Sequence, residues 1–178
     1  MHIYLLLLAP TLAMSLVIAL SNYLVQFVIN DWLTWAAFSY PLCFLVTDLA
    51  NRFLGAANAR KVVWCGFMVG VVLSLVTSTE RIALASGAAF LVAQMLDVQV
   101  FDRLRHSDYW WRAPLVSSAL GSLFDTLLFF SLAFAFTGVP WVTLALGDFA
   151  AKVVMFIVLL SPYRILCGLC MQLGAQKV

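Results

Sequence analysis

The chain has few charged residues for its length. Only 10% of its 178 residues are charged, whereas 65% are hydrophobic. The mean hydropathy is +1.04. Soluble domains average about 25% charged and roughly 45–50% apolar residues, so a soluble chain of this size cannot bury so much apolar surface. The composition therefore excludes a soluble globular domain and indicates a protein that lipid surrounds.

The sequence also lacks the signals of several other protein classes. Its formal net charge of +2 is too small to indicate nucleic-acid binding. The four cysteines lie in or beside apolar runs, without the spacing of a secreted disulfide framework. The apolar runs show no alternation of the kind that indicates a membrane barrel. We therefore expect an all-α integral membrane protein that is not an enzyme and has no cofactor or metal site.

Long apolar runs predict six transmembrane helices in a single domain, residues 1–178. About 20 apolar residues are needed to cross roughly 30 Å of hydrocarbon. The first run lacks the charged start of a signal peptide, so we expect it to be a span. Pro162 is expected to kink or break the last helix, beyond which the chain either continues the helix to about 173 or lies along the interface. The predicted spans cover about residues 3–29, 34–54, 61–78, 82–101, 114–136 and 141–160.

Positive charges cluster in alternate loops. Arg60 and Lys61 lie in the loop after the second span, and Arg103, Arg105 and Arg112 lie in the loop after the fourth. The opposite loops contain almost no positive charge, and positively charged loops face the cytoplasm. Because six spans place both ends of the chain on the same side, the sequence predicts two cytoplasmic termini.

Ionisable and amide side chains occur inside five of the predicted spans. Such charged groups cost at least about 2.5 kcal/mol at the centre of a membrane helix and usually face the bundle interior or a water-filled cavity. Several are three or four residues apart and therefore share a helix face. We predict that they form a substrate site between helices. The candidate substrate-binding residues are Asn22, Gln26, Asp48, Gln94, Asp97, Asp125 and Asp148, and the candidate ion-pair or coupling residues are Arg52 and Lys152.

Acidic groups outnumber basic groups within the spans. The four-residue spacing predicts two ion pairs, Asp48 with Arg52 and Asp148 with Lys152. These pairs could equally lock the bundle without touching a ligand, and the amide side chains could serve only to join helices. The aspartates of the fourth and fifth spans have no obvious partner. An unpaired buried carboxylate either takes a proton or meets a donor from a ligand.

Six short blocks of the sequence carry recognisable motifs in a fixed order. They are residues 21–26, 47–55, 94–105, 110–114, 125–130 and 148–152. Over about residues 15–163 they resemble the motifs of the queuosine precursor transporter family, also called the vitamin uptake transporter family. The resemblance implies import of the 7-cyano and 7-aminomethyl deazaguanine precursors of queuosine across a bacterial inner membrane, for salvage into transfer RNA. It also implies a bundle like the substrate-binding components of energy-coupling-factor vitamin transporters.

A deazaguanine would match the buried polar groups chemically. Its pairing edge presents N–H donors beside a carbonyl, so a carboxylate can accept two donors while an amide donates to the carbonyl. We hypothesise that Asp97 or Asp125 binds this edge, with assistance from Gln94 and Asn22. Aromatic side chains can flank the ring. The candidates for this role are Phe44, Phe129 and Trp141.

Three alternatives stay open at this point. The chain could be a substrate-binding component for another vitamin that depends on an ATPase module. It could instead be an intramembrane enzyme that uses an aspartate pair, or a purely structural subunit. In each case it could form a homo-oligomer. The family often has an asparagine just ahead of the aspartate in the fifth span, where this chain has Ser122 or a neighbouring residue. Ser118 and Ser122 have the spacing of a close helix contact, and we interpret them as packing residues.

Overall fold

The computed structural model describes residues 2–24, 27–30 and 32–175 and shows a predominantly helical chain. The apolar runs form helices because a helix satisfies its backbone hydrogen bonds internally, as lipid requires. The elements in chain order are α1 (His2–Leu24), β1 (Val28–Asn30), β2 (Leu33–Thr34), α2 (Ala36–Ser39), α3 (Leu42–Leu54), α4 (Ala56–Thr77), α5 (Glu80–Leu104), α6 (Arg112–Phe134) and α7 (Trp141–Ala175).

Five helices within the described ranges are long and apolar enough to cross a membrane. These stretches are Leu6–Leu24, Ala56–Thr77, Glu80–Leu104, Arg112–Phe134 and Trp141–Gln172. Their outer faces carry large apolar side chains such as Leu16, Val76 and Leu84, which are 71%, 81% and 74% exposed. Continuous apolar surface of this kind is unfavourable in water and is expected where lipid tails are the solvent. The chain is therefore a multi-pass membrane protein.

The second predicted span is not one continuous helix. In place of a helix over residues 34–54, the structure has the strand β2, the short helix α2 and the helix α3. The break lies at Pro41, which has no N–H group to donate to the helix ladder. The first predicted span is also too long, because α1 ends at Leu24 and the chain then forms a hairpin in which Val28 of β1 pairs with Thr34 of β2.

The remaining predicted spans correspond to long helices with shifted ends. The helix α4 begins at Ala56 rather than at 61, and α5 and α6 each extend beyond the predicted start. The helix α7 runs through Pro162, so the chain continues the helix there rather than leaving it. Membrane helices tolerate proline because neighbouring groups and small local adjustments satisfy the freed carbonyl.

The helix α3 lies at the centre of the polar part of the bundle. It contacts α4, α5, α6 and α7, while α5 packs between α4 and α6, and α7 packs on α6. Small side chains let these backbones approach closely. Those buried on α5 are Ala83, Ala85, Ala89 and Ala93. The polar residues of α3, α5, α6 and α7 are thereby brought next to one another inside an otherwise apolar bundle.

Candidate functional site

A buried lysine on α7 joins two aspartates. Its Nζ atom, on Lys152, lies 2.9 Å from Oδ2 of Asp125 on α6 and 2.6 Å from Oδ2 of Asp148, one turn earlier on α7. Lys152 is 4% exposed and Asp125 is 5% exposed. Buried charges require such pairing, because removal from water is costly for each ion. We call Lys152, Asp125 and Asp148 the ion triad.

Hydroxyl groups from two helical segments complete the ion triad. Tyr40 donates a hydrogen bond to Oδ1 of Asp125 at 3.2 Å, and Thr126 donates to Oδ2 of Asp148 at 3.0 Å. Both oxygens of Asp125 are therefore occupied, and the expectation that Asp125 lacks a partner was wrong. The partner, Lys152, reaches Asp125 from a neighbouring helix, a contact that spacing along one helix cannot reveal.

A second polar cluster holds two aspartates that form no salt bridge with any residue the structure describes. Asp48 on α3 and Asp97 on α5 are 2% and 0% exposed, and the two helices pack against each other. Asp48 accepts hydrogen bonds from Ser117 at 3.2 Å and from Ser118 at 3.3 Å. Within the described part of the chain, neither oxygen of Asp97 has a hydrogen-bond donor. We call Asp48 and Asp97 the acid pair.

The predicted ion pair between Asp48 and Arg52 is wrong. The exposed Arg52 side chain extends away from Asp48, and its Nη1 atom donates to the carbonyl of Arg105 at 2.7 Å. Arg105 in turn donates from Nη2 to the carbonyl of Arg52 at 3.1 Å. A guanidinium near a helix end is more stable at the polar surface than in the apolar interior. This reciprocal contact joins the ends of α3 and α5.

Amide groups beside the acid pair are only partly satisfied. Gln94 accepts a hydrogen bond from Thr47 at 2.6 Å through Oε1, while its Nε2 donor has no partner among the described residues. Asn51 donates to the carbonyl of Val98 at 2.9 Å. Among the same residues, the Asn51 Oδ1 atom and the Ser122 hydroxyl are also buried without a partner. Unsatisfied groups of this number are costly in an apolar interior and indicate a place where a ligand or water binds.

The structure places Asn22, an amide of the first predicted span, outside this cluster. Asn22 donates to the carbonyl of Ile18 at 3.0 Å and lines a separate small pocket together with Tyr40 and Phe90. Gln26 lies outside the residues that the structure describes. The candidate site is therefore built by α3, α5, α6 and α7.

Aromatic pairs separate the polar clusters. Phe44 and Phe156 meet edge to face with ring centroids 6.0 Å apart, and both belong to one buried apolar cluster. Phe44 on α3 lies four residues after Tyr40, which donates to Asp125 of the ion triad, and four residues before Asp48 of the acid pair. Beyond the acid pair, Phe101 and Tyr163 form a second edge-to-face pair at 6.4 Å. The acid pair therefore lies between these two pairs of aromatic rings.

One narrow cleft reaches the acid pair from the side. It runs between α3, α6 and α7, is lined by Asp48, Ser118, Phe156 and Tyr163 together with several leucines and prolines, and has room for about one water molecule. The part of the chain that the structure describes contains no group of three or more His, Cys, Asp or Glu side chains placed to hold a metal ion. The arrangement suits binding of a polar organic group or of protons.

Several site residues escaped the sequence analysis. Four of them donate a hydrogen bond to the ion triad, to the acid pair or to Gln94, and a fifth, Asn51, lies beside the acid pair. They are Tyr40, Thr47, Asn51, Ser117 and Thr126. Hydroxyl residues are common in membrane helices, so their type alone carries little signal. Their position on the helix face of a buried aspartate or glutamine is the signal that could have identified them. Ser118 was interpreted as packing but donates to Asp48.

Gly121 makes the close approach of α6 to the site possible. A Cβ atom there would lie 2.7 Å from Cε1 of Phe44 and 3.0 Å from the carbonyl oxygen of Ala93. We expect Gly121→Ala to lower the free energy of unfolding by about 1–3 kcal/mol, because the buried ring and backbone cannot both move aside. Thermal denaturation of the detergent-purified protein measures this change.

Gly168→Ala is the matched control for that substitution. Gly168 lies on α7, where an added Cβ meets nothing within 4 Å. Alanine is favoured over glycine by up to about 1 kcal/mol in a helix, so this variant should be neutral or slightly stabilised. Equal stability of the two variants would show that α6 does not pack as tightly against Phe44 as the structure indicates.

Comparisons with known proteins identify the family. The chain matches the family described as "Putative vitamin uptake transporter" over residues 34–79 and 72–166. It is 38% identical to the "Queuosine precursor transporter" of Escherichia coli, covering 91% of this chain and 86% of that protein. It is 35% identical to the "Probable queuosine precursor transporter" of Haemophilus influenzae, covering 82% of this chain and 79% of that protein. A Bacillus subtilis protein of the same printed name is 35% identical over 53% of each chain.

No solved structure matches the chain. The family match nevertheless extends across α3 to α7, which contribute every residue of the ion triad and the acid pair. Identity at this level over most of both chains, together with a multi-pass helical architecture, leaves no ambiguity about ancestry. The chain belongs to the vitamin uptake transporter family.

Proposed function

We propose that this chain imports queuosine precursors, 7-cyano-7-deazaguanine or 7-aminomethyl-7-deazaguanine, across the inner membrane of a bacterium. The names of the three relatives support this cargo, and they specify queuosine precursors rather than another vitamin, which disfavours the reading as an ATPase-dependent vitamin component. The observation that carries the proposal is the buried side chain of Asp97, whose two oxygens have no hydrogen-bond donor among the described residues. It lies three residues after Gln94, whose Nε2 donor also has no partner among them.

Asp97 and Gln94 complement the pairing edge of a deazaguanine. The edge presents two adjacent N–H donors, and the two oxygens of one carboxylate accept such a pair. The neighbouring ring carbonyl is an acceptor, which matches the free Nε2 donor of Gln94. Because residues three apart share a helix face, α5 can offer both groups to one ligand. Of the two aspartates hypothesised for this role, we propose Asp97, since both oxygens of Asp125 already have partners.

Phe44 is the proposed aromatic wall of the site. A Cβ atom added to Gly121 would contact both the Phe44 ring and the Cβ of Asp97. The ring is therefore close enough to Asp97 to contact a ligand that Asp97 binds. Phe129 instead packs against Phe130 and Phe134 near the end of α6. A planar heterocycle packs well on an aromatic face. Of the remaining predicted residues, Asn22, Asp48 and Asp148 have no proposed contact with the heterocycle, and Gln26 lies outside the described residues.

The proposed transport orientation needs a sixth crossing, and α2 with α3 supplies it. Residues 36–54 would extend about 28 Å at 1.5 Å per residue, which is close to the roughly 30 Å of the hydrocarbon layer. Tyr40 and Pro41 keep helical backbone angles, which supports a kinked crossing rather than a reversal. Six crossings and the positive loops support two cytoplasmic termini and a bundle like the energy-coupling-factor substrate-binding components.

Ligand-induced stabilisation tests the proposed cargo. The detergent-purified protein should denature at a temperature several degrees higher with saturating 7-cyano-7-deazaguanine, because a ligand that binds only the folded state stabilises it by about 2.7 kcal/mol at a hundredfold excess over Kd. Guanine, riboflavin and biotin serve as control ligands. A folded protein that no deazaguanine stabilises would contradict the proposal, and stabilisation by riboflavin or biotin would point to another vitamin.

A further inference from the structure

The helices α3 and α5 lie side by side and run in the same direction. Thr47 donates to Gln94 at 2.6 Å, and Asn51 donates to the carbonyl of Val98 at 2.9 Å. The second contact lies four residues further along both helices, which is possible only if the helices are parallel. A step towards the N-terminal end of α5 is therefore also a step towards the N-terminal end of α3.

This step leads from the acid pair to the ion triad. Phe90, one turn before Gln94 on α5, meets the ring of Tyr40 edge to face with centroids 6.4 Å apart. The hydroxyl of Tyr40 donates to Asp125 of the ion triad at 3.2 Å. Residues three and four apart share a helix face. One face of α5 therefore presents Asp97, then Gln94, then Phe90, and the last of these reaches the surroundings of the ion triad.

The helix α6 gives the same order from the opposite side. A Cβ atom added to Gly121 would lie 3.3 Å from the Cβ of Asp97, so these two positions are at one level. Asp125 follows Gly121 by four residues, which places it on the same face and about 6 Å further along the helix axis. Ser117, four residues before Gly121, donates to Asp48 at 3.2 Å. Asp97 and Asp125 are therefore separated by about one helical turn.

The proposed binding mode directs the substituent at position 7 of the deazaguanine towards the ion triad. Around the edge of the bicycle, the two N–H donors, the carbonyl and the position-7 substituent follow one another in that order. In the proposed mode, Asp97 accepts the N–H groups and Gln94 donates to the carbonyl. The substituent then continues in the same direction along α5, towards Phe90 and Tyr40. It is therefore the part of the ligand that approaches the ion triad.

The ion triad carries an excess of negative charge. Two carboxylates share one ammonium group, which gives a formal charge of −1, and no second lysine or arginine pairs with them among the described residues. Lys152 and Thr126 approach Oδ2 of Asp148 at 2.6 and 3.0 Å, whereas its Oδ1 accepts no hydrogen bond from a described residue. The Asp148 side chain is 17% exposed. A further cation can therefore pair with Asp148 and neutralise the triad, which a low-dielectric interior favours.

We propose that this chain binds the 7-aminomethyl form of its cargo more tightly than the 7-cyano form, because Asp148 pairs with the ammonium group of the substituent. A primary aliphatic amine is protonated near pH 7, as the side-chain amine of lysine is. The cyano group is uncharged and ends in a nitrogen of partial negative charge, which the carboxylates repel. The inference rests on the proposed function for the position of the ring and adds the selection of its substituent.

Three ligands with the same ring separate the effect of charge from the effect of shape. They are the 7-cyano, 7-aminomethyl and 7-hydroxymethyl forms of 7-deazaguanine, and the last matches the aminomethyl form in size but has no charge. Titration calorimetry of the detergent-purified wild-type protein should give a Kd at least about tenfold lower for the aminomethyl form than for either neutral form, as expected for a hydrogen bond between charged groups. Equal affinity for the aminomethyl and hydroxymethyl forms would overturn the proposal.

The Asp148→Asn variant tests which residue selects the substituent. The ratio of the aminomethyl and hydroxymethyl affinities should fall to about one, because the amide has no charge. Asp102→Asn removes an exposed carboxylate that pairs with Arg105 and should keep the wild-type ratio. A folded Asp148→Asn protein with the wild-type ratio would exclude Asp148 from this role.

The same titrations distinguish a failure of this inference from a failure of the proposed function. If the wild-type protein binds the cyano form as tightly as the aminomethyl form, or more tightly, the selection by charge is refuted and the deazaguanine cargo stands. If a folded wild-type protein binds none of the three ligands, the cargo assignment is refuted and the inference with it. The comparison of ligands in the wild-type protein needs no variant, so it decides the question even if Asp148→Asn does not fold.

Discussion

Lys152→Met is expected to lower the free energy of unfolding by about 3–5 kcal/mol, more than any other single substitution in the polar clusters. The substitution retains most of the side-chain volume but leaves the buried Asp125 and the partly buried Asp148 without the cation that pairs with both. The hydroxyls of Tyr40 and Thr126 donate one hydrogen bond each to these acids and cannot replace the charge. Denaturation of the purified protein by heat or by detergent titration measures the loss.

Removal of all three charges provides the sharpest control for this result. The variant Lys152→Met/Asp125→Asn/Asp148→Asn should recover much of the lost stability, because neutral groups in the same positions leave no uncompensated charge. Lys61→Met is the matched single control, since Lys61 is exposed and contacts only Asn58, at 3.1 Å, among the hydrogen bonds of the described residues. Its effect should stay within about 0.5 kcal/mol. Equal stability of Lys152→Met and Lys61→Met would mean that the ion triad is not buried.

Asp97→Ala is expected to weaken binding of 7-cyano-7-deazaguanine by about 100-fold or more. The substitution removes two hydrogen bonds to a charged group, each of which contributes about 1.5–3 kcal/mol. The protein itself should be as stable as the wild type or more so, because the substitution removes a buried carboxyl group that has no hydrogen-bond donor among the described residues. Affinity is measured by titration calorimetry, and stability by thermal denaturation of the same samples.

The combination of weaker binding and maintained stability distinguishes recognition from a structural role. Asp102→Ala, near the end of the same helix, removes an exposed carboxylate that pairs with Arg105 at 3.2 Å and should change neither property appreciably. Wild-type affinity in Asp97→Ala would exclude Asp97 from the substrate site. A loss of affinity that accompanies global destabilisation would indicate instead that the acid pair holds the bundle together.

The membrane character and most helices follow from hydropathy, but the break in the second span does not. Residues 34–54 form one apolar run, and hydropathy does not register that Pro41 removes a backbone donor in its middle. The helix α7 shows the converse, because Pro162 interrupts nothing there. Whether a proline breaks a membrane helix depends on the groups that neighbouring helices offer to the freed carbonyl, and those groups are set by tertiary packing.

The polar residues were identifiable from sequence, whereas their pairing was not. Spacing within one helix correctly relates Asp148 to Lys152 but equally suggests a pair of Asp48 with Arg52 that does not form. Contacts between helices decide the outcome: Asp125 meets Lys152 across α6 and α7, and Asp48 accepts hydrogen bonds from Ser117 and Ser118 across α3 and α6. Such contacts depend on the rotation of each helix about its axis, which a single sequence constrains only weakly.

The reciprocal contact between Arg52 and Arg105 restricts how α3 and α5 can move. Each guanidinium donates to a carbonyl near the C-terminal end of the other helix, where intrahelical donors have run out. If one helix slid past the other by a single turn, about 5.4 Å, both of these hydrogen bonds would break at the same time. A swing of the two helices about this end would leave the arginine contact in place but would break the hydrogen bonds of Thr47 with Gln94 and of Asn51 with Val98. The separation would then be largest at the first residues of α3 and α5 and smallest at the arginines.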